Sequence, residues 1–212
     1  MYDKDFHQID ISDFTFLVTG GAGFIGSNIV AYLMKYNAGK VIVLDNLSNG
    51  YKKNIEQFIG QPNFQFIEGD ITNFDLVTEI MAEVDYVSHQ AALGSVPRSI
   101  ENPLATHHAN ATGLLTILTC AKDANIKRVV FASSSSVFGD SKELPKIESR
   151  IGRQLSPYAV SKRTKELYAM VFADVYDLDV VGLRYFNVFG PNQSPNGPYA
   201  AAIPLFMEAL LN

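Results

Sequence analysis

The stretch TGGAGFIG, residues 19–26, decides the fold because it joins a short apolar run directly to a helix-period segment. Residues 15–19 predict a buried strand, and apolar positions at three- and four-residue spacing over residues 24–36 predict a helix. The glycines between them satisfy both the GxxGxxG and the GxGxxG spacing: Gly20, Gly21, Gly23 and Gly26. Glycines permit a tight turn, close approach of the backbone to a pyrophosphate and close helix–strand packing, and the helix N-terminus favours an anion. The stretch therefore predicts a dinucleotide-binding turn; a glycine-rich turn without a ligand is the alternative.

Strand-like and helix-like segments keep alternating along the chain. Further strands are predicted at residues 41–45, 64–68, 86–90, 128–133 and 180–185, and further helices at 74–81, 103–124 and 157–176, with a short helix after Tyr51. This alternation implies βαβ units and a parallel sheet with helices on both faces. Right-handed crossovers favour the α/β doubly wound arrangement, a Rossmann fold.

The C-terminal residues differ in character from the rest. Residues 186–204 are crowded with Gly, Pro and Asn, and a helix that opens at Pro204 has run about two turns when the sequence stops at Asn212. We therefore predict an NAD-binding Rossmann domain over residues 12–185 and the start of a smaller substrate-binding region over residues 186–212. We expect the chain to be a fragment of a longer protein.

Composition excludes several classes of function. The 212 residues are 47% apolar and 18% charged, which is typical of a globular protein with a filled core. The net charge of −5, without a basic run, argues against a nucleic-acid partner. Cys120 is the single cysteine, so no intrachain disulfide can form. No signal-like start and no 18-residue apolar run is present, so we expect no membrane partner and a cytoplasmic location. No metal ligands are predicted.

The end of the second strand indicates which dinucleotide binds. The strand ends VIVLD, which places Asp45 about 20 residues after the glycine turn, where a carboxylate can accept hydrogen bonds from both ribose hydroxyls. A 2′-phosphate would be repelled there, which favours NAD over NADP. Lys52 and Lys53 weaken that preference unless they belong to a solvated helix face. Asp70, after the third strand, is either a turn or cap residue or a contact to adenine.

A second motif, SPYAVSK, occupies residues 156–162. Ser156 is a plausible N-cap before a proline suited to the first helical position, so Tyr158 lies in the first turn and Lys162 one turn later on the same face. The ammonium and the helix dipole are expected to lower the pKa of the phenol from about 10 towards working pH. The Tyr36–Lys40 pair has the same spacing but straddles a helix end, and we assign it no role.

The fifth strand ends in ASSSSVFG, residues 132–139. Doubly wound folds bind ligands at the carboxyl ends of their strands, so these four serines can donate or relay a hydrogen bond to a substrate oxygen. A serine-rich turn without function is the alternative, and the presence of the other two motifs makes it the weaker one.

The glycine turn, the serine cluster and the Tyr-x-x-x-Lys pair together resemble the extended short-chain dehydrogenase/reductase family, whose members modify nucleotide sugars with bound NAD. The blocks HQAALGSVPRSIENP (89–103), SPYAVSK, LRYFNVFG (183–190) and PNGPYAAAIP (195–204) are similar to those of UDP-N-acetylglucosamine 4-epimerases of surface-polysaccharide biosynthesis. The resemblance implies an isomerase with NAD as cofactor, a UDP-sugar substrate, and a homodimer paired through helices 103–124 and 157–176.

The resemblance also implies roles for individual residues. Tyr158 matches the base, Lys162 its electrostatic partner and ribose ligand, and Ser134 or Ser135 the hydroxyl that assists at the sugar O4. The implied cofactor-binding residues are Gly20, Gly23, Phe24, Ile25, Gly26, Asp45, Asn46, Ser48, Gly50, Asp70, Ile71, Gln90, Ala91, Ala92, Asn110, Ser133, Tyr158, Lys162, Tyr185 and Val188. The implied substrate-binding residues are Gly94, Ser95, Ser134, Ser135, Ser136, Asn187 and Ala201. The histidines His89, His107 and His108 are expected to be structural.

The leading hypothesis is 4-epimerisation of a UDP-hexose, UDP-N-acetylglucosamine/UDP-N-acetylgalactosamine by resemblance, through a transient 4-keto sugar. One rival is a nucleotide-sugar 4,6-dehydratase, although resembling dehydratases carry Asp and Glu where this chain has Ser135 and Ser136. The other rival is a catalytically silent NAD-binding fragment, since much of the family's UDP pocket would lie beyond Asn212. The choice between an N-acetylated and a plain hexose stays open.

Overall fold

Six parallel strands form one sheet in the computed structural model, which describes residues 3–194 and 202–211. The strands are β1 (Thr15–Thr19), β2 (Lys40–Asp45), β3 (Phe64–Glu68), β4 (Tyr86–His89), β5 (Arg128–Ala132) and β6 (Val180–Leu183). Their order is β3-β2-β1-β4-β5-β6, and every neighbouring pair is parallel. The predicted doubly wound α/β fold is confirmed. The strand order reverses between β1 and β4, and the crevice at their carboxyl ends is where such sheets bind ligands.

The described residues also form seven α-helices. They are α1 (Phe24–Lys35), α2 (Phe74–Met81), α3 (Val96–Glu101), α4 (Pro103–His107), α5 (Gly113–Asp123), α6 (Pro157–Tyr176) and α7 (Ala202–Leu211). A π-helical turn, His108–Thr112, joins α4 to α5, and short 3₁₀ turns cover Lys52–Asn54, Glu56–Phe58 and Ser135–Phe138. No helix within the described ranges has the length and apolar character needed to cross a bilayer.

Alternating strand residues fill two cores, one on each face of the sheet. On β1, the fully buried Leu17 packs with residues of α2, α5 and α6 on one face, whereas Val18 packs with residues of α1 on the other. The same alternation on β2 sends Ile42 to the first core and Val43 to the second. Period-two alternation of strand side chains therefore accounts for helices on both faces.

Some predicted boundaries are wrong. The helix predicted over residues 103–124 is interrupted by the π-helical turn, in which Asn110 and Ala111 are buried. The strands predicted to reach residues 90, 133 and 185 end at 89, 132 and 183. The short helix expected after Tyr51 is a pair of 3₁₀ turns. The division into two regions at residue 185 stays a prediction.

Candidate active site

At two positions of the glycine turn after β1, a side chain would collide with the backbone. Gly20 has φ of +68°, and a Cβ there would lie 2.7 Å from the backbone nitrogen of Ala91. A Cβ on Gly26 would collide with the carbonyl oxygen of Gly20, so α1 can approach the turn only through a glycine. The α1 N-terminus at Gly23 has no side-chain cap, which leaves backbone N–H groups of the first turn for an anion.

Asp45 connects the end of β2 to this turn. One carboxylate oxygen accepts a 3.0 Å hydrogen bond from the backbone N–H of Ala22, and the other accepts a 2.8 Å bond from that of Leu47. Burial raises the pKa of the Asp45 carboxyl, and the two backbone hydrogen bonds oppose that shift. Lys52 and Lys53 hold their ammonium groups over the rings of Phe66 and Tyr51. This arrangement agrees with the solvated-face interpretation of the two lysines.

A cleft of about 570 Å³ opens beside the turn. Its volume falls within the roughly 300–1,000 Å³ of small-molecule sites. The predicted cofactor-binding residues in its wall are Gly20, Gly23, Phe24, Ile25, Gly26, Asp45, Asn46, Ser48, Gly50, Asp70, Ile71, Gln90, Ala91 and Ala92. The wall also contains Gly94, predicted for substrate, and residues that sequence reasoning missed: Leu44, Asn49, Gly69, Leu93, Ala105, His108 and Ala109. The cleft and the uncapped helix together fit a dinucleotide.

Asp70 has the turn role that was one of its two alternatives, and it also lies in the cleft wall. Its Oδ1 accepts hydrogen bonds from the N–H and the hydroxyl of Thr72, at 2.8 and 2.7 Å. Its Oδ2 accepts a 2.8 Å bond from the Asn46 amide. Burial raises the pKa of Asp70, but these hydrogen bonds outweigh it and the net shift is downward. The hydrogen bond between Asn46 and Asp70 thus joins two residues of the cleft wall.

Asn110 acts on the cleft through a loop. The amide oxygen accepts a 2.8 Å bond from the Leu93 N–H, and the amide nitrogen donates to the Leu93 carbonyl at 3.1 Å and to Ser161 Oγ at 3.0 Å. The π-helical turn places this buried side chain between the β4–α3 loop and α6. Because its amide is occupied by these partners, Asn110 fixes the loop that carries Gly94.

The second motif forms the predicted helix start. Ser156 Oγ accepts a 3.1 Å bond from the Ala159 N–H, so the predicted N-cap is confirmed and Tyr158 lies in the first turn of α6. Lys162 is buried, donates a 2.9 Å hydrogen bond to the carbonyl of Ala132, and places Nζ 5.6 Å from the centroid of the Tyr158 ring. The Ser134 hydroxyl lies close enough to the phenol to oppose the rise of its pKa. The candidate base, its lysine partner and a serine hydroxyl after β5 are therefore brought together.

The predicted lowering of the phenol pKa is wrong. Burial raises the pKa of Tyr158 above 10.0, and the hydrogen bond with Ser134 opposes this only in part. Burial also lowers the pKa of Lys162 to about 8. Both groups lie in a site with little water, where desolvation of the charged form outweighs the mutual attraction on which the prediction relied.

The four serines after β5 have separate tasks. Ser133 donates a 2.6 Å hydrogen bond to Glu166, and Ser134 accepts one from the Ser136 N–H at 3.1 Å. The Ser135 N–H donates to the Tyr185 carbonyl at 2.8 Å, and Ser136 Oγ is buried without a partner among the described residues. The interaction with the Tyr158 phenol favours Ser134 over Ser135 as the candidate assisting hydroxyl.

The remaining predicted site residues lie further from this centre. Burial raises the pKa of Tyr185, which with Val188 lines a mostly apolar cavity of about 660 Å³ beside Phe24 and Ile25. Asn187 is exposed. Ser95 caps α3 by accepting a 3.2 Å bond from the Arg98 N–H. Ala201 falls outside the described residues.

Sequence reasoning missed three polar residues close to the site. Glu166 and Arg184 form a bidentate ion pair beside Ser133, and Lys165 is fully buried with no hydrogen-bond partner for Nζ among the described residues. The only available signal was spacing, because Glu166 lies one helical turn after Lys162. His89 is packed as expected: its Nδ1 lies 2.9 Å from Thr19 Oγ1, and burial, together with the lysines of α6, holds its pKa well below 6.5.

Comparison with known proteins gives concordant matches. The model of the NAD-dependent epimerase/dehydratase family matches residues 16–212. A putative UDP-glucose 4-epimerase of Methanocaldococcus jannaschii is 41% identical over 92% of this chain and 62% of that protein. The UDP-N-acetylglucosamine 4-epimerase of Methanobrevibacter ruminantium, solved with UDP-N-acetylmuramic acid, is 45% identical with a TM-score of 0.89, covering 94% of this chain and 63% of that one. The dTDP-glucose 4,6-dehydratase DesIV of Streptomyces venezuelae, solved with NAD, is 38% identical with a TM-score of 0.86, covering 93% and 62%. The chain thus spans about three fifths of the length of these relatives.

Proposed function

The chain belongs to the NAD-dependent epimerase/dehydratase family, and we propose that it is the NAD-binding and catalytic part of a nucleotide-sugar 4-epimerase. The predicted cofactor, NAD, is confirmed by the family and by NAD-bound structural relatives. When bound, NAD supplies acceptance and return of a hydride at the sugar C4. The glycine turn and the α1 N-terminus would hold the pyrophosphate, and Asp45 the adenosine ribose.

In the proposed reaction the protein moves one proton. The Tyr158 phenolate takes it from the 4-hydroxyl as C4 becomes a carbonyl, and the resulting phenol returns it when the sugar is reduced on its other face. Ser134 donates a hydrogen bond to the oxygen that changes charge. Lys162, held by the Ala132 carbonyl beside the ring, stabilises the phenolate.

The observation that favours epimerisation over dehydration is the chemistry beside Ser134. A dehydratase needs an acid and a base to eliminate water, whereas residues 135 and 136 are serines. Within the described residues, Glu166 is the carboxylate hydrogen-bonded to the serine cluster, and it is also paired with Arg163 and Arg184. Burial raises the pKa of Glu166, but the hydrogen bonds to its carboxylate outweigh burial and lower the pKa overall. The carboxylate therefore stays ionised, and its oxygens are used by these partners.

We propose a UDP-hexose as substrate, with UDP-N-acetylglucosamine and UDP-N-acetylgalactosamine first in order because the 45% identical relative is a UDP-N-acetylglucosamine 4-epimerase. UDP-glucose is the second candidate, since the relative from Methanocaldococcus is a putative UDP-glucose 4-epimerase. A cytoplasmic location stays a prediction.

We also propose a homodimer paired through the α4–α5 and α6 helices. Exposed apolar residues recur on α6 at helical spacing: Val160, Leu167, Val171 and Val175. Leu104 on α4 is 82% exposed. Sedimentation of the wild type and of Val171→Glu tests this: the proposal requires a dimer that the charged substitution weakens, and a monomeric wild type contradicts it.

The function is tested with the longest natural form of the protein that includes these residues. It is incubated with UDP-GlcNAc and, separately, with UDP-Glc, and the product sugars are separated and weighed by mass spectrometry. An epimer of unchanged mass supports the proposal, whereas loss of one water assigns a dehydratase. Tightly bound NAD without turnover of either sugar assigns the silent alternative.

A further inference from the structure

Glu166 is a hub of four hydrogen bonds close to the candidate catalytic groups. Its Oε1 accepts from Ser133 Oγ at 2.6 Å and from Arg184 Nε at 2.8 Å. Its Oε2 accepts from Arg184 Nη2 at 2.9 Å and from Arg163 Nη1 at 3.0 Å. The Glu166 and Arg184 side chains are only 11% and 13% exposed. Both oxygens are used, and the pairing with Arg184 is the bidentate geometry that fixes orientation as well as distance.

The residues joined by this carboxylate sit next to the candidate catalytic residues on three different elements. Glu166 follows Lys162 by one turn of α6, Ser133 directly precedes Ser134 after β5, and Arg184 directly precedes Tyr185 after β6. One side chain therefore connects the helix that carries the base to the two strand ends that carry its neighbours.

Backbone hydrogen bonds transmit the connection to Ser134. The Ser133 N–H donates to the Leu183 carbonyl and the Ser135 N–H to the Tyr185 carbonyl, both at 2.8 Å. Ser134 is thus held between two links to the segment that carries Arg184. A change in the position of Arg184 relative to α6 would move the Ser134 hydroxyl relative to the Tyr158 phenol.

We propose that Glu166 is a positioning residue, which with Arg184 and Ser133 holds the Ser134 hydroxyl against the Tyr158 phenol. The inference rests on the proposed function, because Tyr158 is the base there. An ion pair that only stabilised the fold would contribute little more than a hydrophobic replacement of similar volume. A positioning residue instead changes the chemical step, because a displacement of about 1 Å can reduce rate by about 10²-fold.

The test compares Glu166→Gln with a matched surface substitution. Glu143→Gln removes a carboxylate that pairs with Arg150 at 3.2 Å where both side chains are more than half exposed. Glu166→Gln keeps the side-chain shape but turns an amide N–H₂ towards donors. Ser133→Ala removes a single hydrogen bond of the hub and serves as the second variant if Glu166→Gln does not fold.

Two readouts are expected to change. With the UDP-sugar that the wild type turns over, kcat of Glu166→Gln falls about 10- to 100-fold while KM and NAD content change less than about threefold. Without any substrate, an ultraviolet difference titration against the matching Tyr158→Phe protein shows a higher Tyr158 pKa, as in Ser134→Ala, because the hydrogen bond that lowers it is weakened. Glu143→Gln leaves both readouts unchanged.

An unchanged kcat and an unchanged Tyr158 titration in folded Glu166→Gln, with only a lower melting temperature, would overturn the proposal and assign a purely structural ion pair. Loss of NAD in parallel with activity would overturn it equally. If the wild type turns over no UDP-sugar, the proposed function fails, but the substrate-free titration still decides whether Glu166 sets the Ser134–Tyr158 geometry.

Discussion

Lys162 lies against the face of Tyr158, with Nζ 5.6 Å from the ring centroid, and donates its hydrogen bond to the carbonyl of Ala132 at the end of β5. The lysine therefore joins the candidate base to the strand whose next residues are the serine cluster. Burial disfavours the charged form of both partners, raising the pKa of Tyr158 and lowering that of Lys162 to about 8. The proposed reaction needs the phenolate and the ammonium together, and burial disfavours both charged forms before the substrate binds.

Replacing Tyr158 by Phe is expected to reduce turnover at least about 10³-fold, because the proton acceptor is lost, within the range of general base contributions. NAD content should stay the same, since the ring is kept. Tyr36→Phe is the matched control: Tyr36 has the same spacing to Lys40, but Lys40 pairs with Glu83 at 2.7 Å on the surface. Turnover is followed by separation of the epimers, and near-normal turnover by Tyr158→Phe contradicts the assignment.

The pH dependence of kcat is expected to follow from the protonation of Tyr158 and Lys162. Below pH 8 both Tyr158 and Lys162 are protonated, and the working state holds one proton, on the lysine. Activity should therefore rise as pH increases through about 8, the pKa of Lys162, since the coupled pair loses one proton there. In Lys162→Arg the cation cannot give up its proton, so the rise should move towards the higher pKa of Tyr158. A rise that stays near pH 8 in Lys162→Arg would assign it to another group.

The sequence was sufficient where the determinants are local. The β1–turn–α1 unit depends on apolar periodicity and on glycines such as Gly20, whose φ of +68° and contact with Ala91 exclude a side chain. The start of α6 depends on Ser156 and the proline after it, which act within one turn. Such features are encoded by neighbouring residues, so pattern and spacing alone predict them.

Properties that arise from packing between distant segments could not be predicted in this way. The sign of the Tyr158 pKa shift depends on burial, which the spacing to Lys162 does not contain. Two of the partners of Glu166, Ser133 and Arg184, lie 33 and 18 residues away, after the ends of β5 and β6. The break of the predicted helix at Asn110 places an amide against Leu93, a contact 17 residues distant. Each of these required the sheet order to be known.

A hydrogen bond between α3 and the loop after β2, at the cleft wall, is expected to slow the release of NAD. Arg98 Nη1 donates a 2.8 Å hydrogen bond to Asn49 Oδ1, which joins α3 to the loop after β2, and Asn49 lies in the cleft wall. The hydrogen bond is exposed, so its net contribution is about 0.5–1.5 kcal/mol, and Arg98→Ala should accelerate NAD dissociation about two- to tenfold.

Asn49→Ala should accelerate NAD dissociation similarly, and the double variant should add little, because both changes remove one interaction. Dissociation is measured by stopped-flow displacement of NAD, with Arg150→Ala, whose side chain is 62% exposed, as control. Fully additive effects of the two single variants would show that they act separately and not through this hydrogen bond.

Lys165 is expected to reduce the stability of the fold. Burial, and to a lesser extent the charge of Lys162, hold its pKa well below 10.5, and its Nζ has no hydrogen-bond partner among the described residues. The Nζ of Lys165 lies 5.5 Å from the centroid of the Phe131 ring. Lys165→Met should therefore raise the free energy of unfolding at pH 7 by about 1–3 kcal/mol, the cost of an unpaired buried polar group.

The difference in unfolding free energy between Lys165→Met and the wild type should become smaller as pH rises. In the pH range between the depressed pKa of Lys165 in the folded chain and about 10.4, the unfolded chain binds a proton that the folded chain does not. The free energy of unfolding of the wild type therefore rises with pH, by up to about 1.4 kcal/mol per pH unit. Lys165→Met lacks this increase. Urea unfolding at pH 7 and pH 9.5 measures both variants, with Lys40→Met as the surface control. A difference in unfolding free energy that is independent of pH would show that Lys165 is protonated inside the fold.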